Sequence, residues 1–527
     1  MLILVPIFLL LAASLAVLIL RRARPGFGYA WVVASLSSLA VWLMVLLLRG
    51  AMPVSFTLGS QPLKILAPNP MLSLDASSWP YALTLATLAL AAVLTATAQL
   101  HPSASPAAWA GTLAIAALAL VAVLAADALT LLVAWVAMDL MDVALTLVFS
   151  NGKVNGEQIV LSFAARLAGT LFVLWAVVSG GEKPQQEGFA AIQPQAGLFL
   201  LFGIGLRFGV LPTRSVTGEE TPFLRGWGNM LKLAPAASAL VLLARLPREI
   251  VPQYWLGFFL AMTGLAALYG SVCWAAATDE ISGRPFWLIG LASLSIASGL
   301  MGKPQAGVAW GLTLLLSGSI LFLYSERRFA LLSALGFWGL SGLPFSPTSG
   351  GWSGLITGNY PLGSAAFLLA HFFLVFGYLR HAFRAAAPTE RAERWVLIIY
   401  PLGLAFLPLT DIYLGFLGLG GSPMPAFWWA GLISCLPAIA LAWGLSRRKA
   451  ESPERPDVQV PVLGHIAKVT GSVLGLGWLF RLFRLGFRTA RWLVEMLAGI
   501  LEGDAGILWV LVLLALLVTL ISQAGGA

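Results

Sequence analysis

The sequence predicts an all-α polytopic membrane protein of about fourteen to sixteen spanning helices, and three observations carry that prediction. Hydrophobic residues make up 59% of the 527 residues, while Asp, Glu, Lys and Arg make up only 10%. Soluble domains carry roughly a quarter of charged residues, so a large water-exposed domain is excluded. Apolar runs of roughly 20 residues, the length that crosses a bilayer, recur along the whole chain. Glycine (54) and proline (30) are abundant, as suits closely packed and interrupted membrane helices.

The apolar runs fall at about 2–20, 29–48, 78–98, 107–126, 129–149, 158–178, 195–211 and 226–246. Further runs lie near 254–276, 286–301, 306–324, 329–344, 361–384, 395–417, 424–446 and 506–522. The first is followed by Arg21, Arg22 and Arg24. That order is the reverse of a cleavable signal peptide, so a first spanning helix with its N-terminus outside is expected. Residues 50–75, with Pro53, Pro62, Pro68 and Pro70, read as a loop with short extended pieces. Two segments read as helix breaks: Gly209 to Pro212, and the Gly342–Gly351 stretch containing Pro344 and Pro347.

The 31 basic and 22 acidic residues leave a net charge of +9, expected mainly in loops at the cytoplasmic face. The basic residues gather in no water-exposed domain, so nucleic acid is not an expected partner. Cys273 and Cys435 sit in apolar stretches and suggest neither a disulfide framework nor a metal site. After a charged, proline-bearing linker from Arg447 to Pro461, the segment Leu479–Leu497 carries Arg481, Arg484, Arg488 and Arg491, with Glu495 following. Their three- and four-residue spacing among Leu, Phe and Trp predicts a basic amphipathic helix for the bilayer interface or a partner subunit.

Ionisable groups inside spans are expensive and therefore candidates for function. Asp139 and Asp142 lie three residues apart in AWVAMDLMDVAL, on one helix face. Arg166 lies in the next span, Arg207 just ahead of the first break, and Lys232 in the span after it. Asp127 reads as a helix cap. Asp279, Glu280 and Arg284 read as a solvated loop, and His371 and His381 as hydrogen-bonded packing residues. No phosphate loop, nucleophile elbow, metal cluster or haem ligand pair is visible, so no cofactor is expected in this chain.

The order of these features resembles the antiporter-like membrane subunits of respiratory complex I, of Mrp-type cation/proton antiporters and of membrane-bound hydrogenases. The resemblance is carried by Leu74-Asp75 opening the third span, DALTLLVAWVAMDLMDVAL at 127–145 and FGIGLRFGVLPTRS at 202–215. It continues in LIGLASLSIASG at 288–299, and in LLLSGSI followed by GLPFSPTSGGWSG. It implies two inverted five-helix bundles and a mid-membrane axis of one glutamate and several lysines. It also implies other membrane subunits, the lipid bilayer and a proton or monovalent cation as partners, in a prokaryotic inner membrane. Four regions follow: 1–106, spanning helices and a loop; 107–384, the antiporter-like core; 385–446, further spanning helices; and 447–527, linker, lateral helix and final span.

Position by position the resemblance is uneven. Trp135 matches, but Val136 occupies the glutamate position, and Asp139 stands one turn further along. Arg207 replaces the lysine before the first break and Arg214 the histidine after it. Trp310 and Gly354 stand where the family holds lysines. Arginine stays charged, whereas lysine can lose its proton when desolvated. The resemblance therefore implies a subunit of a proton- or cation-translocating complex of the NADH:quinone oxidoreductase type, with a degenerate relay of Asp139, Asp142, Arg166, Arg207 and Lys232. Two alternatives stay open: a non-conducting scaffold subunit, and a component of a two-component ion or inorganic-carbon transporter.

Overall fold

In a computed structural model the chain is almost entirely helical. The structure describes residues 1–23, 29–57, 70–96, 106–149, 156–180, 189, 192–208, 226–247, 249–323, 330–356, 361–383, 394–419 and 422–451. In the tail it describes 485–489, 491–496, 512, 514 and 515. The backbone divides into two units, Met1–Gly464 and His465–Ala527.

The first unit contains helices α1 (Val5–Ala23), α2 (Ala30–Leu47), α3 (Ser78–Thr95), α4 (Pro106–Leu124), α5 (Ala128–Phe149), α6 (Gly156–Ser179), α7 (Pro194–Arg207) and α8 (Trp227–Arg245). They are followed by α9 (Gln253–Ala276), α10 (Glu280–Leu300), α11 (Pro304–Leu323), α12 (Ala330–Leu340), α13 (Pro361–Ala382), α14 (Val396–Leu417) and α15 (Trp429–Glu451). Among the described residues, 12 helices are long and apolar enough to cross a membrane. The protein is a multi-pass membrane protein. Three other expected spans form helices outside that set: α7 has only 14 residues, α12 only 11, and α10 opens on Glu280 and Arg284. The expected span at 506–522 and the break at Gly209 to Pro212 lie outside the described residues, apart from isolated positions.

Helices α3, α4, α8 and α11 form the centre, packed on one another and buried nearly throughout. Their sequences explain this. Helices α3, α4 and α11 carry no charged residue and α8 only Lys232 and the terminal Arg245. This is close to the pattern of a fully enclosed helix, and small Ala, Gly and Ser residues allow close approach. Hydroxyls in these helices bond back to carbonyls one turn earlier, as Thr84 does to Pro80 at 2.8 Å and Thr112 to Ala108 at 2.8 Å. They thereby avoid being unsatisfied polar groups in the interior. The flanking helices α1, α2, α5, α6, α9 and α15 bury one side only.

The loop expected at 50–75 contains two short strands, β1 (Val54–Thr57) and β2 (Met71–Leu74), paired antiparallel with Val54 opposite Leu74. This hairpin is tied to three helix ends. Asp127 accepts from Met71 N at 2.7 Å, and from Thr130 N at 2.8 Å, which makes it the N-cap of α5 as expected. Arg245, the last residue of α8, pairs with Asp75 at 3.0 Å and donates to Ser73 O at 3.0 Å and to Ala125 O. The hairpin clamp fixes where α5 begins and so the height of its acidic residues.

The second expected break is present. Helix α12 stops at Leu340, and a bend with positive φ at Gly342 (69°) and Phe345 (65°) leads into a 3₁₀ turn, Pro347–Gly354. A Cβ on Gly342 would lie 2.3 Å from the Trp352 indole nitrogen, so both the backbone and the space require glycine. The freed backbone groups find hydroxyls: Thr348 Oγ1 accepts from Gly342 N at 2.9 Å and donates to Gly339 O at 2.7 Å. This is the satisfaction that an interrupted helix needs inside a membrane.

Candidate functional site

The inward face of α5 repeats at helical spacing: Leu131, Ala134, Trp135, Met138, Asp139 and Asp142 are all buried. Val136 is 39% exposed on the outer face, whereas Asp139 is 1% exposed. An acid at 136 would face outward in this chain. The inward acid is at 139, so the two positions do not share a face, contrary to what their one-turn spacing predicts.

Arg166 on α6 and Arg207 at the end of α7 meet this face. The two helices touch at glycines: a Cβ on Gly203 would lie 2.9 Å from Gly169 O, and a Cβ on Gly169 only 3.3 Å from Arg207 Cγ. Such small-residue contact lets the backbones approach, and it sets Arg207 beside Arg166. Arg207 pairs with Asp139 Oδ2 through Nη1; Arg166 pairs with Asp142 through Nη2 and lies 3.3 Å from Asp139 Oδ1 through Nε. The Arg207 guanidinium also sits over the Trp135 ring, 4.5 Å from its centroid. Trp135 is fixed in turn by donating to Ser238 Oγ on α8 at 2.8 Å.

Two carboxylates are thus matched by two guanidiniums with almost no exposure to solvent. Arg207 Nε and Nη2 have no hydrogen-bond partner among the described residues. Buried ion pairs of this kind add little net stability over apolar packing, so stability alone does not account for the network. Lys232 on α8 is half-buried and lies in electrostatic range of Asp142, Arg166 and Arg284. Its ammonium is the surplus positive charge of the group. Among the described residues it is also the one cation there able to release a proton, because guanidinium remains charged.

Of the five core residues predicted from the sequence, Asp139, Asp142, Arg166 and Arg207 are therefore in contact, and Lys232 lies in electrostatic range of Asp142 and Arg166. Other expectations need revision. Arg284 is not in a solvated loop: it is buried within α10, over the Phe322 ring at 5.8 Å. The Asp279 carboxylate caps that helix through Ser282 N at 2.7 Å, so helix rather than loop follows it. His371 is a packing residue as expected. Its Nε2 meets Leu340 O, the last carbonyl of α12, at 2.8 Å, and its Nδ1 meets Ser434 Oγ at 2.7 Å. The carbonyl partner assigns the ring proton to Nε2.

The positions that lack the expected lysines are filled by packing. Trp310 is buried edge-on against Trp352 at 5.1 Å and beside His371 at 5.5 Å. A Cβ on Gly354 would lie 2.8 Å from both Ala306 Cβ and Ser298 Cβ. In the tail, Arg488 and Arg491 are in exposed helical stretches, and Arg491 pairs with Glu495 at 2.7 Å. Arg481, Arg484 and Arg214 lie outside the described residues. One buried charge was not singled out from the sequence at all, Asp411 on α14. An acid within an apolar span was the signal for it.

No protein-family model and no curated protein matches the sequence. Solved structures do. A chain of the membrane-bound sulfane sulfur reductase, an archaeal respiratory membrane complex, matches with a TM-score of 0.68 at 15% identity, over 98% of this chain and 99% of that one. A chain of the Mrp complex from Dietzia sp. DQ12-45-1b matches with a TM-score of 0.66 at 16% identity, over 90% of this chain and 60% of that one. This chain has the fold of a membrane subunit of such complexes. A chain of respiratory complex I from Thermus thermophilus agrees, with a TM-score of 0.59 at 18% identity, over 84% of this chain and all of that one. The resemblance drawn from ordered sequence segments therefore holds for the fold.

Proposed function

We propose that this protein is a membrane subunit of a multi-subunit, cation-translocating, energy-converting complex in a prokaryotic cell membrane. In it, the Asp139–Asp142–Arg166–Arg207 network is a fixed electrostatic frame, and Lys232 is the group that exchanges a proton. The observation that carries this reading is the charge balance of the buried site. Both acids are held by arginines that stay charged, which leaves Lys232 as the one labile cation of the group among the described residues. The fold shared with subunits of respiratory and Mrp complexes supports other membrane subunits as partners and a proton or monovalent cation as cargo. The regions 107–384 and 447–527 serve, in this reading, as translocating core and as linker with a lateral contact.

A non-conducting scaffold is the second reading, and Trp310 favours it. That indole, locked against Trp352 and His371, occupies a position where the resemblance implies a lysine. Asp139→Asn in the assembled complex, reconstituted in vesicles, separates the two. A conducting subunit loses proton translocation while the complex stays assembled, because the released guanidinium repels the proton on Lys232. Unchanged pumping stoichiometry would favour the scaffold.

A further inference from the structure

Asp411 lies in α14 and is fully buried. Helix α14 packs chiefly against α3, α11, α12 and the Pro347–Gly354 turn, and none of these four carries a Lys, Arg, His, Asp or Glu. The other titratable side chains on these elements and on α14 itself, and the one described group in electrostatic range, are phenols. Tyr378 on α13 is in electrostatic range and donates to Ser333 O at 3.2 Å. Tyr81 on α3 is turned toward Gly311, and Tyr413 on α14 itself is held by Arg49 at 2.9 Å.

The carboxyl is poorly provided for as an anion. Oδ2 accepts one hydrogen bond, from Ser317 Oγ on α11 at 3.1 Å, and Oδ1 has no partner among the described residues. Gly339 on α12 makes room for the group, since a Cβ there would lie 1.6 Å from Oδ2. An ionised carboxylate buried without a cation is far costlier than its neutral form. A residue that only filled this space would be apolar.

Its surroundings lead back toward the first site. Ser319, two residues beyond Ser317 on the wholly buried α11, accepts from Asn229 Nδ2 on α8 at 3.4 Å. Asn229 precedes Lys232 by three residues and so shares its helix face. Asn229 Oδ1, like Asp411 Oδ1, has no partner among the described residues. Helix α11 thus carries a polar contact to Asp411 through Ser317 on one side and to the Asn229 face of α8, which also bears Lys232, through Ser319 on another.

We infer that Asp411 is a second proton-exchanging site, which supplies from α14 the titratable group that Trp310 and Gly354 do not. This deepens the proposed function and rests on it for the proton's path, though not for the site itself. The step is a proton transfer alone. An O–H bond forms at Oδ1 as one O–H bond of a hydronium ion breaks and leaves water, cancelling the carboxylate charge. On release the Oδ1–H bond breaks and the proton returns to water, and no electrons are exchanged.

Infrared difference spectroscopy on the full-length protein in lipid vesicles, stepped from acid to alkaline pH, tests this directly. Asp139 and Asp142 are paired with arginines, whereas Asp411 has no cation partner among the described residues. Asp411 is expected to give a carboxylic C=O band that shifts on exchange into D₂O and disappears at alkaline pH. The band should be lost in Asp411→Asn and displaced in Asp411→Glu. A band that ignores both pH and D₂O would make Asp411 a sealed packing residue, and absence of the band in the unmodified protein would equally overturn the proposal. The outcome is separable from the relay. A responsive Asp411 band with normal pumping by a Lys232 variant leaves the site standing without the relay; a silent band with blocked pumping does the reverse.

Discussion

At the scale of single residues, the network around Asp139 makes a clear energetic demand. Removing one partner of a buried ion pair leaves an uncompensated charge, which costs about 3–5 kcal/mol. Asp139→Asn is therefore expected to lower the unfolding midpoint of the detergent-solubilised protein markedly. Asp142→Asn should lower it less, since Arg166 keeps its second contact with Asp139 at 3.3 Å. Equal, negligible shifts in a thermal melt would show that the pairs do not persist. These five residues were legible in the sequence because charge inside a span is rare enough to stand out. Which arginine meets which acid was not legible, since Arg207 reaches Asp139 only through the α6–α7 glycine contact. Arg284 was misread because Asp279, Glu280 and Pro285 look like a loop, although Asp279 is a helix cap. Asp411 escaped notice because it stands in no segment that carries the resemblance and its one side-chain partner, Ser317, is 94 residues away.

Among elements, the α6–α7 contact is the most sensitive. Gly203→Ala places a methyl 2.6 Å from Val173 Cγ2 and 2.9 Å from Gly169 O, so the helices must separate. Overpacking of this kind costs about 1–3 kcal/mol. The larger expected effect is on Arg207, which moves away from Asp139, so the substitution should depress translocation as well as stability. Wild-type translocation by Gly203→Ala would contradict that positioning role. The second break offers a converse test. Gly354→Lys restores the residue type that the resemblance implies, yet its Cβ meets Ala306 and Ser298 at 2.8 Å. The variant is expected to express poorly, which a fluorescence size-exclusion profile would register. The break itself could be read in advance from Gly342, Pro344 and Pro347. Its satisfaction by Thr348 could not, because that depends on how the chain folds back on Gly339.

For the whole molecule, the fold was readable because a low-charge, apolar sequence admits few alternatives in a bilayer. The count of spans was less so. Length and hydropathy do not distinguish a spanning helix from the short α7, or from α12, which stops at the second break. The tail belongs at this scale too. The described parts of 485–496 are helical and exposed on charged and apolar sides alike, and we propose that this segment meets lipid headgroups or another subunit. A cysteine in place of Arg488 or Arg491 should react with a water-soluble maleimide in the isolated chain and be protected in the assembled complex. Labelling that placed the segment across the bilayer would overturn the lateral assignment.

The claim on which the account turns is that Lys232 gives up and regains a proton, beside acids held by arginines. Lys232→Arg tests it most directly, since it keeps the positive charge near Asp142 and removes the ability to deprotonate. Proton translocation by the assembled complex in vesicles should fall to background while assembly is retained. Translocation at the wild-type stoichiometry would show that Lys232 acts only as a fixed charge, and would leave the chain a scaffold.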